Sequence, residues 1–159
     1  MRKTGRFLTT AAAIAGGLLL TAAPAEAAPY WQSVSTSSNW SCARTVVHTA
    51  KAGVGFQACT VRNHNNDAQV VLVVVNNSTS AVNISGIVDS DFGDGSCGSY
   101  SLAVGERRGC FGPTSTVPSC PFGAGVPDDA VTYHNGTVRL TVNGVVNSME
   151  SPETQCVYG

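Results

Sequence analysis

Gln69-Val70-Val71-Leu72-Val73-Val74-Val75-Asn76 sets six consecutive apolar residues, five of them valine, between polar ends. Alternating apolar and polar residues would mark a strand with one wet face. An unbroken run this short marks either a strand covered on both faces or a piece of buried helix. Valine decides between them, because a side chain branched at Cβ is stiff at χ1 and fits a pleated sheet better than a helix. Burying each such side chain contributes ~1.5–3 kcal/mol, so the run is worth on the order of 10 kcal/mol gross. The stretch predicts the central strand of a β-rich core.

The flanks of this run agree with it. Residues 54–62 alternate, with Val54, Phe56 and Ala58 on one side and Gln57, Cys59 and Val61 on the other. Residues 81–88 alternate likewise, Val82, Ile84 and Gly86 against Ala81, Asn83 and Ser85. Between them lie Asn63-His64-Asn65-Asn66-Asp67 and Asn76-Asn77-Ser78-Thr79-Ser80, both clusters of turn residues. Shorter strands are expected at 44–48, 100–104 and 106–111. Strands at this spacing, with turn signals between them, point to a sandwich or barrel.

The C-terminal part carries two type I′ hairpin signals, Asn135-Gly136 and Asn143-Gly144. The first pairs Tyr133 with Val138. The second pairs Val142 with Val145, Leu140 with Asn147 and Val138 with Met149. In this three-stranded meander Val131, Tyr133, Val138, Leu140, Val142, Val145 and Met149 share one face, with only Asn147 out of place. No helix of ordinary length is expected. The predicted fold is an all-β, single-domain antiparallel β-sandwich stapled by disulfides.

Residues 1–27 read as an export signal. Arg2, Lys3 and Arg6 precede an apolar run, which ends in small residues at Ala25 and Ala27. The run is short for a membrane span. The chain is therefore expected to be secreted, with residues 28–39 as a flexible Ser-rich arm and 40–159 as the domain. The 159-residue sequence has a formal net charge of −1, and loss of the basic leader makes the rest more acidic. That argues against nucleic acid and against anionic membranes. Cys42, Cys59, Cys97, Cys110, Cys120 and Cys156 all follow the leader, and an even count in an exported chain reads as disulfides. Six cysteines admit fifteen pairings. The expected one is sequential: Cys42–Cys59, Cys97–Cys110, Cys120–Cys156. None has the spacing of a zinc or redox pair.

No catalytic or cofactor-binding pattern stands out. Gly-x-Ser-x-Gly is absent, and His48, His64 and His134 read as ordinary turn histidines. Asp89, Asp91 and Asp94 lie on a glycine-loosened turn like that of a calcium loop. However, the fifth position is Gly93 and the twelfth is Tyr100, where oxygen ligands belong. A solvated acidic turn is the simpler reading. Two stretches remain as binding candidates. In the arm, Tyr30 and Trp31 are aromatic anchors, with Gln32 and Val34 beside them. Between Cys110 and Cys120, a proline-stiffened loop presents Phe111, Pro113, Thr114 and Val117, which suits inhibition of a protease or glycosidase because little entropy is lost on binding. Tyr30, Trp31 or Trp40 could also serve a small carbohydrate-binding module.

The export signal, the Ser-rich arm, Trp40-Ser41-Cys42, Gly55-Phe56-Gln57-Ala58-Cys59, Cys110-Phe111-Gly112 and the late Cys156 together resemble the small adaptor subunit of the umbrella toxin particles. The resemblance implies a non-catalytic bridge between a lectin-bearing subunit and a larger toxin-bearing subunit, with the N-terminal arm inserted into the latter. The expected function is therefore protein binding through the arm, with other secreted proteins as partners.

Overall fold

The computed structural model describes residues 30–123, 125, 127 and 130–158; the expected export signal lies outside them. Thirteen strands run in order: β1 (Trp31–Ser33), β2 (Trp40–Cys42), β3 (Val46–Val47), β4 (Val54–Arg62), β5 (Asp67–Asn76), β6 (Val82–Ser90), β7 (Gly95–Leu102), β8 (Arg107–Phe111), β9 (Ser115–Thr116), β10 (Tyr133–His134), β11 (Gly136–Val142), β12 (Val145–Glu150) and β13 (Thr154–Gln155). No helix occurs among the described residues.

The strands form an all-β sandwich with antiparallel pairing. The first sheet has the order β1-β8-β5-β4-β2, with β3 also on β4 and β9 on β5. The second has the order β12-β11-β6-β7, and β10 with β13 makes a separate pair. The valine strand β5 is the middle strand of its sheet, as its composition predicts. Val70, Leu72 and Val74 point into the space between the sheets and meet Val54, Phe56 and Ala58 from β4 and Val138, Leu140 and Val142 from β11. Val71 and Val73 point the other way, into a smaller outer cluster with Cys59 and Val61.

The three disulfides are the sequential ones: Cys42–Cys59, Cys97–Cys110 and Cys120–Cys156. The second joins β7 to β8 and so ties the two sheets together.

Three expectations need correction. First, Asn135-Gly136 does not turn a hairpin. β10 pairs with β13, while β11 starts at Gly136 and lies between β6 and β12. The glycine is needed for closeness, not for a left-handed turn. A Cβ there would sit 2.6 Å from the Asp89 carbonyl oxygen and 2.5 Å from the Ser90 Cβ. The second signal behaves as expected: Asn143 and Gly144 have φ of 49° and 82°, and β11 and β12 pair in the predicted register. Tyr133 and Val145 are exposed, so the apolar face is narrower than predicted.

Second, His48 is buried rather than a turn histidine in solvent. Its Nδ1 accepts the Ala50 N–H at 3.1 Å, which leaves Nε2 to donate to the Leu140 carbonyl, also at 3.1 Å. The ring thus stitches the β3–β4 turn to the opposite sheet. Asn147, the polar residue out of place in the meander, does the same work beside it: its Oδ1 accepts both the N–H and the hydroxyl of Thr49.

Third, the arm is not free. β1 is an edge strand paired with β8, and the buried Trp31 packs inside the main core. Its Nε1 donates to the Gly98 carbonyl at 2.8 Å, and its ring lies over Gly86. An indole with a hydrogen-bond partner is more stable in a core than in water.

Candidate functional site

β1 and β2 lie at opposite edges of the first sheet. The chain between them must therefore cross that sheet's outer face. Four strand spacings of ~4.8 Å make about 19 Å, and residues 34–39 form the strap that spans them. Val34 anchors it by packing on the outer cluster. Residues 35–39 are exposed. At its far end the strap turns through the Trp40 N–H to the Ser37 carbonyl and enters β2.

Antiparallel partners share a face, so the registers identify the rest of this surface. Val71, Val73 and Val75 of β5 lie beside Gly55, Gln57, Cys59 and Val61 of β4 on one side, and beside Arg107, Gly109 and Phe111 of β8 on the other. Trp40 meets Phe111 edge-on at 5.9 Å between ring centroids. The strap, Trp40 and Phe111 together cover the Val71–Val61 end. The other end stays open. There a depression of about 310 Å³ is lined by Thr45, Gly55, Phe56, Gln57, Val73, Val75 and Arg107. Gly55, which lies in its floor beside Val75, offers no side chain to cover the two valines. The second sheet is different. Its outer face carries Ser85, Thr137, Arg139, Thr141 and Ser148, with only Ile87 and Val146 apolar.

Of the arm residues, Tyr30 is 60% exposed and Trp31 is buried. Trp31 is therefore a core pin and not an exposed anchor. Gln32 and Val34 share the outer face of the first sheet. The proline-stiffened stretch is not a projecting loop. Ser115 and Thr116 pair with β5, Val117 is 2% exposed, Phe111 faces Trp40, and Pro113 lies against Gly93. Thr114 alone of the four inhibitory candidates is exposed. The structure thus brings Val34, Trp40 and Phe111 from three separate candidate sites onto one face, and removes Trp31 and Val117 from the surface. The Gly55–Val73–Val75 depression has no local sequence signal. Only the pairing of three strands makes it.

The acidic turn does not gather its carboxylates. Asp89 pairs with Arg139, Asp91 accepts the Asn135 N–H at 3.0 Å, and Asp94 accepts the Ser90 N–H at 3.1 Å. No group of three ligating side chains occurs among the described residues. Asp91, His134 and Thr132 do form a carboxylate–imidazole–hydroxyl line, with gaps of 3.5 Å and 3.4 Å. Both are longer than the ~2.6–3.2 Å of a working proton relay, and the Asp91 oxygen facing the ring is the one the Asn135 N–H occupies. The line reads as a clamp on the start of β11.

Comparison with known proteins finds no matching family model, no matching curated relative and no matching solved structure.

Proposed function

We propose that this chain is a secreted, non-catalytic protein-binding module, an adaptor or assembly subunit of an extracellular complex. The supporting observation is the asymmetry of the sandwich. One outer face is dressed in Thr, Ser and a paired Arg, whereas the other is valine-rich and only half covered by the strap. A face of that kind, rimmed by polar side chains, suits another protein. The three disulfides belong to an oxidising compartment, and the basic, apolar leader of the sequence supports export. Under the umbrella-particle resemblance the partners are the toxin-bearing and lectin-bearing subunits, with the strap and Tyr30 meeting the larger one.

Deleting the arm is a poor test, because it removes Trp31 from the core. The better variant combines Tyr30→Ala with Thr36→Glu, both at exposed positions. A tagged parent is expected to recover one or more large secreted proteins from culture supernatant, identified by mass spectrometry, and the double variant to lose them. Recovery of a protease alone, or of the same partners by both proteins, would defeat the reading.

A further inference from the structure

The open end of the valine-rich face is specific about what it can accept. Its floor is Gly55, Val73 and Val75, and its walls are Thr45, Gln57 and Arg107. Thr45 donates its hydroxyl to Gln57 Oε1 at 2.7 Å, so that wall is held in place. Arg107 is exposed and makes no ion pair among the described residues. The acid next to it in sequence is unavailable, because Glu106 is held by Tyr100, the Ala103 N–H and Arg108. Arg44, also exposed, adjoins Thr45 in the chain. The depression is thus apolar below and cationic at the rim.

From this we infer that the depression receives an extended segment of a partner protein carrying an acidic residue between aliphatic ones. An aliphatic side chain rests over Gly55 and Val75, and the carboxylate pairs with the Arg107 guanidinium. A basic segment is rejected, because its charge would face Arg107 while the neighbouring acid, Glu106, is already engaged. The inference rests on the protein-binding reading above and names the chemistry of the partner.

Two capped heptapeptides, Ser-Gly-Val-Asp-Val-Gly-Ser and Ser-Gly-Val-Lys-Val-Gly-Ser, test it by titration into the isotopically labelled, oxidised protein with amide NMR as readout. Shifts are expected at Gly55, Gln57, Val73, Val75 and Arg107. The Asp peptide is expected to bind about five-fold tighter than the Lys peptide, the scale of one exposed ion pair. That gap is expected to close in about 1 M salt and to invert in Arg107→Glu. Equal binding of both peptides, shifts centred elsewhere, or no shift with either would overturn the inference. The natural partner is not needed for this test. A failed titration with successful partner recovery discards only the groove chemistry, and the reverse discards only the adaptor reading.

Discussion

Glu106 closes the turn between β7 and β8 with its own carboxylate. The Ala103 N–H donates to one oxygen at 2.8 Å, and the Tyr100 hydroxyl and the Arg108 Nε to the other, each at 2.7 Å. The backbone donor and then Tyr100 hold this carboxyl below its ordinary value of 4.5; desolvation opposes them, and Arg108 adds to the lowering. The unfolded chain therefore takes up this proton at a higher pH than the folded one. The stabilising contribution is complete above the unfolded value and is lost as pH falls through the folded one. Urea unfolding from pH 7 to pH 3 is expected to show stability falling in the acid range, with Glu106→Gln less stable at pH 7 and flatter below pH 5. Parallel curves for the two proteins would remove Glu106 as a source of acid sensitivity. Other single residues show the limit of local reading. Asn135-Gly136 and Asn143-Gly144 are the same dipeptide, yet only the second turns. What separates them is the Asp89–Ser90 backbone pressed against Gly136, a contact from a strand far away in sequence.

At the scale of elements, β4, β5, β6 and the β11–β12 hairpin were legible because each writes its burial into its own alternation, its own unbroken apolar run or its own turn. The strap was not. A strand of three residues shows no period, and a Ser-rich stretch resembles a linker by composition. Its pairing with β8 depends on Trp31 finding Gly98 and Gly86, and no local pattern records that meeting. The candidate face was half legible for the same reason: Val34, Trp40 and Phe111 stood out as residues, but their convergence is a product of strand order. The small size of β1 hides its importance. Trp31→Ala is expected to lower stability by about 3–5 kcal/mol, the range for a buried large aromatic. Trp31→Phe keeps much of the packing and is expected to lose about 1–2 kcal/mol with the hydrogen bond. Urea midpoints measure both. A loss under about 1 kcal/mol for the alanine variant would mean that the arm is free in solution.

For the whole molecule, the disulfides decide how the sandwich holds together. They span separations of 17, 13 and 36 residues. On loop-closure entropy each contributes about 3–4 kcal/mol, and the Cys120–Cys156 link about 0.9 kcal/mol more than Cys97–Cys110. Paired Cys→Ser variants compared by thermal and urea unfolding test that order. A larger loss at Cys97–Cys110 would show that joining the sheets outweighs loop length. The same links give the strap a mechanical meaning. Tension on the N-terminus first peels β1 from β8, then lifts the strap and β2. It stops at Cys42, because load there passes through sulfur directly to Cys59 in β4. At the other terminus, load reaching Cys156 passes to Cys120. The molecule therefore has a covalent stop behind its leading end. Under the adaptor reading proposed above, load on the arm lengthens it only after Trp31 has left the core, and the disulfide then holds the end of β2 to β4.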